Sequence, residues 1–506
     1  MAKLTKEQKR KRKIAIRNAK YSALLMLAAS VAFYAVMVYT GIIPSKYLRL
    51  LRIILLVVNL PLLFFGLVRK VKTSIKRRQT VTCVVLSILL IAMCFLIPHY
   101  EGKIFKLLTN IPKEGKLNIN IYVLKSSGID EIGQIADKKL AIQKKVDTEY
   151  QEYALKVINH EMGGAQPNKV EYDDIYKAVD ALLANEVDAV MLNETYFDII
   201  AENADYQQAA ESIKSIFTCP VEVTLQYDTS AVTNIDKEPF VIAIAGTDSW
   251  DLGGLNRNGR TDVNMVVAVN PVTHRVMIVS IPRDGYVAMG GDSSKMDKLT
   301  HASIGGVDAW RKTLEKVLDV DINYFVKINF SSLVNIVDAI GGIDVDNPYE
   351  FSTKYVFYGE GKNPSDGTYT TFEKGMIHLD GQQALGYCRE RYSLSNGDLG
   401  RNQHQVIMIK ALINKVCSAA VITKVDKLLN AVEGSFISDL KENEYKALAQ
   451  MQLRDWPIWK IESVNITGSN GSAESYYVGL SLSMVFLSDN SVADAKAKLQ
   501  EVLRGE

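Results

Sequence analysis

One short segment concentrates charge in a way that suggests chemistry. Cys388 to Gln405 reads Cys-Arg-Glu-Arg-Tyr-Ser-Leu-Ser-Asn-Gly-Asp-Leu-Gly-Arg-Asn-Gln-His-Gln. Arg389 and Arg391 are two apart, so an extended backbone would aim both guanidinium groups to one side. Asn396-Gly397-Asp398 reads as a turn leading into a helix, with Asp398 as its N-cap. Arg401 and Gln405, four apart, share a face of that helix. Three arginines, a carboxylate and an amide thus converge on one small volume. A packed core does not tolerate that much positive charge without an anionic partner. A phosphate or pyrophosphate fits, because planar guanidinium forks bind it bidentately. The alternative is a solvated arginine run at a helix-strand junction.

A second group precedes it. Phe240 to Ala245 is a continuous apolar run, expected of a strand buried on both faces, and it leads into Gly246-Thr247-Asp248. A Gly- and Asn-rich loop follows, then Arg260-Thr261-Asp262, and later Ser280-Ile281-Pro282-Arg283-Asp284. Two aspartates at strand ends suit Mg²⁺, which takes one or two carboxylates and fills its remaining positions with water and phosphate. Loop aspartates also serve as plain turn formers. Open α/β sheets bind ligands along one edge, so Asp248, Asp262 and Arg283 could face the arginine cluster.

The elements that must position these residues alternate. Asn264 to Asn270 and Arg275 to Ile281 predict a hairpin. Val307 to Leu318 predicts an amphipathic helix, Tyr324 to Phe330 a strand, and Ser331 caps a helix ending at Gly341-Gly342. Tyr349 to Lys374 reads as a long surface loop. A helix, two strands and a last helix follow Ser438. This pattern predicts a mixed three-layer α/β domain over residues 239–506. Residues 98–230 read as a separate, smaller α/β accessory domain, with strands at Asn118–Leu124 and Val187–Leu192 and helices at Tyr150–Asn159 and Ile175–Asn185. It loosely resembles a lobe of an extracellular solute-binding protein, and a spacer or docking role is the expectation.

The N-terminal part is of another kind. Residues 1–20 form a basic tail with nine Lys or Arg and one acidic residue. Within residues 21–97, Tyr21–Ile43, Ile53–Val68 and Val81–Ile97 are apolar runs of transmembrane type. Lys and Arg crowd the tail and the loop Arg69–Arg78, which predicts a cytoplasmic N-terminus and places everything after Pro98 outside the cell. With 59 basic against 57 acidic residues overall, no global electrostatic partner is implied. Nucleic acid is not an expected partner, since the tail carries no recognition element. Five scattered cysteines show neither metal-ligand spacing nor a disulfide framework.

Several motifs together carry a family resemblance. They are Pro282-Arg283-Asp284, Lys298-Leu299-Thr300-His301-Ala302 with Gly305-Gly306, Ile336 to Val345, Leu379-Asp380-Gly381 with Ala384-Leu385, and the arginine segment. In this order they resemble the LytR-CpsA-Psr family of cell-wall enzymes. Three spans plus an extra outer domain are similar to its CpsA-type capsule members. The resemblance implies a phosphotransferase that moves a glycopolymer, capsular or teichoic-acid in type, from a polyprenyl-pyrophosphate carrier to a peptidoglycan sugar hydroxyl. It implies that Asp248 and Asp262 hold Mg²⁺ (or Mn²⁺), and that Arg260, Arg283, Arg389, Arg391, Arg401 and Gln405 bind the pyrophosphate. Asp398 would orient the arginines or assist proton removal, and Asp248, Arg283, Arg389, Arg391, Asp398 and Arg401 form the catalytic set. Implied partners are the lipid-linked polymer, peptidoglycan, the bilayer and other capsule-assembly membrane proteins. An apolar groove for the isoprenoid is expected along helices Val307–Leu318 and Ser331–Ile340. His301 and His378, without visible partners, are assigned no role. The competing readings are a membrane-tethered transcriptional regulator, a binding module without turnover, and a hydrolase of the same carrier-linked donor.

Overall fold

The computed structural model describes residues 5–109, 114–224, 230–247, 259–356, 369–418 and 436–506. Contacts divide the chain into two compact units. The first holds three long helices, α1 (Lys6–Thr40), α2 (Ser45–Leu67) and α3 (Thr73–Leu108). Each is long and apolar enough to cross a membrane. They run past the apolar stretches because the flanking basic residues are themselves good helix formers. Between apolar helices, small residues and a few hydrogen bonds supply the fit. Asn59 donates to Ser30 Oγ at 2.8 Å, and Gln79 donates to the Leu62 carbonyl at 2.7 Å. Lys76 donates to the carbonyls of Phe65 and Gly66, which end α2 and have no intrahelical partner. The helix Glu442–Asp455 clusters with this unit, where Lys446 pairs with Glu101 at 2.8 Å.

The second unit carries two sheets. The first uses β1 (Glu114–Leu124), β2 (Lys139–Gln143), β3 (Asn168–Tyr172), β4 (Ala189–Asn193) and β5 (Ile213–Thr224) in the order β3-β2-β4-β1-β5. Helix α4 (Thr148–Glu161) covers one face, packing Ala154 and Ile158 against Ile119, Ile121 and Met191. Helices α5 (Ile175–Leu183) and α6 (Glu194–Glu202) cover the other, and a short α7 (Gln207–Ser212) leads into β5. That second face is shared. Ile304, Tyr477 and Val478, far along the chain, pack into the same cluster as Tyr176, Val190 and Tyr196. The accessory sheet and the larger domain are therefore joined by a common core.

The larger sheet has six strands, in the order β16 (Phe436–Ser438), β11 (Tyr324–Asn329), β6 (Phe240–Thr247), β7 (Val263–Asn270), β8 (Arg275–Ser280) and β17 (Lys460–Asn465). Its central members are β6 (Phe240–Thr247), β7 (Val263–Asn270) and β8 (Arg275–Ser280), followed by the small pair β9 (Tyr286–Ala288) and β10 (Met296–Lys298). Next come α8 (Val307–Leu318), β11 (Tyr324–Asn329) and α9 (Phe330–Ile340). β11 pairs parallel with β6, whereas β7 runs antiparallel to both β6 and β8. The C-terminal ends of β6, β8 and β11 thus meet at one edge, together with the start of β7. Helix α8 and the last helix, Asp489–Arg504, bury one face, placing Trp310, Leu314 and Leu499 against Val241, Ala268 and Val279. The mixed three-layer α/β expectation holds.

The other face supports the site. There β12 (Ile343–Asn347), β13 (Phe351–Thr353), β14 (Thr370–Phe372) and β15 (Gly375–Leu379) form two small ribbons beside α10 (Gly381–Arg389) and α11 (Asp398–Val416). The stretch read as one long loop, Tyr349 to Lys374, thus contains β13 and β14; residues 357–368 lie outside those described. Ser331 does not cap α9: Asn329 does, accepting from the Ser332 amide at 2.9 Å. At the start of α10, Asp380 and Gln383 form a reciprocal capping box. A Cβ on Gly381 would overlap the Val334 carbonyl and stand 2.9 Å from Asp338 Oδ1. Gly381→Ala is therefore expected to cost about 1–3 kcal/mol by overpacking, read as a lowered melting temperature. Completing the sheet are β16 (Phe436–Ser438) and β17 (Lys460–Asn465); β18 (Gly468–Glu474) and β19 (Ser481–Leu487) form a hairpin beyond it.

Candidate active site

At the shared strand edge, Asp262 stands one residue before β7, its amide held by the Gly246 carbonyl at 2.7 Å. Gly246 has to be small, because a Cβ there would lie 2.7 Å from Val263 Cγ2. Arg283, three residues past β8, donates from Nη1 to Asp262 Oδ1 at 2.7 Å. Burial alone would raise the Asp262 carboxyl, but the Arg283 charge and hydrogen bond, with Arg401 and Arg260 nearby, hold it below the usual carboxylate range. Burial likewise opposes the Arg283 charge, and Asp262 and Asp284 more than restore it. Asp284 in turn pairs with Lys298 at 3.1 Å.

The arginine segment meets this edge. A single cavity of about 670 Å³ is lined by Arg260, Asp262, Arg283, Arg389, Arg391, Arg401 and Gln405. The local geometry differs from the expectation in two respects. Arg389 ends helix α10, so it does not share an extended strand with Arg391. The capping box at Asp380 starts α10 and nothing breaks it before Glu390. Asp398 is not the N-cap of α11 either. Gly397, at φ +53°, takes that position and Asp398 is the first helical residue. From there its Oδ1 lies 2.7 Å from Arg401 Nη2 and 3.8 Å from Arg391 Nη1, so it bridges two arginines. Asp248, one of the two expected metal ligands, lies outside the described residues, as does the loop Leu252–Asn258.

Each arginine is held differently. The Arg389 guanidinium carbon lies 4.4 Å from the Phe330 ring centre and 4.8 Å from that of Tyr355, a cation-π clamp that fixes its plane. Arg391 rests on Tyr392. Arg401 is only 8% exposed, and burial together with the Arg283 charge depresses its pKa despite Asp398. The 2.7 Å approach to Asp398 is a charge contact without hydrogen-bond alignment. Among the described residues, Arg401 Nε and Nη2 and Arg283 Nε are buried donors with no hydrogen-bond acceptor. Buried orphan N–H groups on cations are costly, and an anion with several acceptor oxygens would satisfy them.

Part of the cavity lining is apolar. Ile244, Val263 and Met265 come from the sheet, Ile328 and Leu333 from around the start of α9, Leu385 from α10, and Met408 and Ile409 from α11. The groove expected along α8 is not there: α8 buries its apolar face in the opposite core, while the start of α9 does contribute. Cys388 also lines the cavity, but burial pushes its thiol up to about 12, which keeps it protonated and inert. Cys83, Cys94, Cys219 and Cys388 form no disulfide.

The histidines read as unpartnered have partners. His301, buried and cavity-lining, contacts Asp297 Oδ1 through Nδ1 at 2.8 Å, and His378 contacts Asp344 at 2.7 Å. The Asp297 to His301 spacing of four was visible in the chain, but the three-residue β10 strand and the tight helical turn Leu299–Gly305 that bring the two together were not. Lys298, Thr300, Phe330 and Tyr355 also line the cavity, and of these only Lys298 and Thr300 lie in a motif that carries the family resemblance.

Comparison with known proteins bears on the same stretch. The LytR_cpsA_psr family model matches residues 196–492, more than half the chain. The chain is 37% identical over 221 residues to the polyisoprenyl-teichoic acid--peptidoglycan teichoic acid transferase TagU of Enterococcus faecalis, covering 44% of this chain and 68% of that one. It is 32% identical over 251 residues to the transferase TagV of Bacillus subtilis, covering 49% of this chain and 62% of that one. Among solved structures, B. subtilis TagV aligns over 53% of this chain and 98% of its own at 29% identity and a TM-score of 0.43. A structure described as TagT bound to LIIa-WTA aligns over 55% and 94% at 26% identity and a TM-score of 0.42. The matched span takes in the strand edge, the arginine segment and every quoted motif, and the chain belongs to the LytR-CpsA-Psr family.

Proposed function

We propose that the chain transfers a glycopolymer from a polyprenyl-pyrophosphate carrier to a peptidoglycan sugar hydroxyl. One observation carries this reading: buried guanidinium donors without acceptors belong to a cavity whose lining also holds a set of apolar side chains, so charge and grease share one site as they do in an isoprenoid diphosphate. The relatives' names, which specify transfer of teichoic acid from a polyisoprenyl carrier to peptidoglycan, agree with it. The acceptor oxygen attacks the phosphorus that bears the sugar, and the bond from that phosphorus to the bridging oxygen breaks. Polyprenyl phosphate leaves with the bridging oxygen, and a phosphodiester remains between glycopolymer and acceptor. Arg283 and Arg401 stabilise charge on the equatorial and leaving oxygens, and Arg389 and Arg391 clamp the head group. Asp398, between Arg391 and Arg401, would orient both or assist removal of the hydroxyl proton, although it does not itself line the cavity.

A divalent ion, Mg²⁺ or Mn²⁺, suits the donor set. Asp262 offers a hard carboxylate oxygen beyond the one given to Arg283, and Asp248 would be the second ligand. Such an ion would neutralise phosphate charge. By the positive-inside rule the basic start of α1 and the segment Arg69–Arg78, which runs into the first turns of α3, face the cytoplasm, and the second unit faces outward, where it meets lipid-linked substrate by diffusion in the plane of the bilayer. Whether the polymer is capsular or teichoic, the linkage chemistry is the same.

The test is the full-length protein in lipid with a polyprenyl-pyrophosphate-linked polymer and isolated peptidoglycan. Polymer bound to the wall through phosphodiester is the expected product. Release of free polymer phosphate with equal rate whether or not wall is present would make the protein a hydrolase instead.

A further inference from the structure

We infer that the accessory sheet domain forms one wall of a saccharide subsite that continues the arginine-lined cavity. This rests on the transferase reading and assigns residues 114–224 a part in it. The cavity lining holds three chemical sets of residues. One set is apolar and one cationic; the third is Asn203 and Asp205 from the accessory domain, Ser481 and Ser483 from β19, and Tyr392, with Tyr176, Ile199 and Leu482 of the same domain and strand also lining the cavity. Asp205, Ser481 and Ser483 are exposed, and Tyr392 is 72% exposed. Carboxylate, amide, hydroxyls and an open aromatic face are the groups that recognise sugar hydroxyls and the C–H face of a pyranose. They suit neither an isoprenoid nor a phosphate.

The wall is built rigid and tied to the centre. β19 hydrogen-bonds directly to the arginine-bearing turn, with the Val485 amide donating to the Asp284 carbonyl at 2.8 Å. Ser481 and Ser483 alternate with Leu482 and buried Met484, so both hydroxyls leave one face of the strand. Opposite them on that face, β18 presents Glu474 and Ser472, both exposed, which extends the polar strip away from the cavity. The link to the accessory domain runs through the loop between the two strands. Asp297 accepts from Ser475 Oγ at 2.7 Å and from the Tyr477 amide at 2.8 Å while also holding His301. Gly479, at φ +79°, lies so close to Asp174, the cap of α5, that a Cβ would overlap it. Asn203 accepts from the Asp205 amide at 3.1 Å and donates to Tyr176 at 3.2 Å, fixing the tip that reaches the cavity. A loosely tethered spacer would need none of these.

A cavity lined by these three sets matches a linear substrate of isoprenoid, diphosphate and sugar; the sugar could equally belong to the acceptor glycan. The experiment separates these with the full-length protein carrying Asp205→Ala with Ser483→Ala and, as a blocking variant, Ser483→Trp. Two quantities are compared with wild type: affinity for a polyprenyl pyrophosphate with and without its first sugars, and KM for isolated peptidoglycan glycan. The expected result is unchanged affinity for the sugar-free lipid. Beside it, at least about a tenfold loss is expected in either the sugar-dependent gain of donor affinity or the acceptor KM, the arm that moves naming the source. If neither arm moves in either variant while melting temperatures match wild type, the inference is overturned. Should wild type itself fail to bind the sugar-free lipid, the transferase reading fails instead, a separate outcome.

Discussion

Replacing Arg401 with alanine is expected to lower polymer transfer by about 100- to 1000-fold while leaving the protein folded, the loss typical of removing one preorganised donor to a developing anion. The two arginines nearest Asp262 differ in what their loss does to stability. Arg283 makes the 2.7 Å hydrogen bond to Asp262, and its removal leaves a half-buried carboxylate without that donor, at a cost of about 1–3 kcal/mol. Arg401 is destabilised by Arg283 and contacts Asp398 without hydrogen-bond alignment, so its removal also relieves repulsion. Arg401→Ala should therefore melt close to wild type and Arg283→Ala well below it, with both inactive. Arg401→Lys restores a charge but not a planar fork, and should recover little of the lost rate. Equal activity of Arg401→Lys and wild type would mean that only net charge matters there. The measurements are wall-bound polymer per unit time and a thermal melt of each variant.

Acid is expected to destabilise the second unit through His404. That imidazole is fully buried, stacked 4.3 Å from Tyr387 and 4.6 Å from Phe351 between ring centres, with Nδ1 3.1 Å from the Tyr387 carbonyl and Nε2 buried without a partner among the described residues. Burial lowers its pKa from 6.5 to about 4. Between those values the unfolded chain carries the proton and the native chain does not, so stability rises with pH across that window. It is fully present above about pH 6.5 and is lost as pH falls to about 4, a change of about 3 kcal/mol. Because α11 also carries Arg401 and Gln405, the same loss loosens the site. His404→Phe keeps an aromatic ring in the stack and removes the titrating group. Its melting temperature should change much less between pH 6.5 and 4 than that of wild type, and parallel pH curves for the two would refute the assignment.

How much of this the chain reveals by itself depends on the range of the interactions. The three spans are legible because a bilayer imposes length and apolarity on consecutive residues. The alternation of strands and helices over Phe240–Leu318 is legible for a similar reason, since period and burial are local. The convergence of Arg283 with Arg389, Arg391 and Arg401 was legible only as a clustering of charge with an implied common sheet edge. What failed was conformation that depends on context. Spacing of two suggested a strand for Arg389 and Arg391, yet the capped helix from Gly381 runs through Arg389. Asp398 is a good capping residue by type, but Gly397 with positive φ took the cap and freed the carboxylate to bridge arginines. Periodicity marks α8 as amphipathic but carries no record of which surface its apolar face packs against, so the groove expected along it is a buried core face instead. The partner of His301 depends on the local turn after β10, and the reach of Asn203 and Asp205 into the cavity depends on a core shared between segments nearly three hundred residues apart.

The most direct test of the central claim is calorimetric titration of the full-length protein with geranylgeranyl diphosphate, the monophosphate and the free alcohol. If buried guanidinium groups and apolar lining residues make one site for a doubly phosphorylated lipid head, the diphosphate binds tightest and the alcohol weakest, and the diphosphate advantage collapses in Arg401→Ala. Equal binding of all three lipids, or a diphosphate preference undiminished by Arg401→Ala, would contradict it.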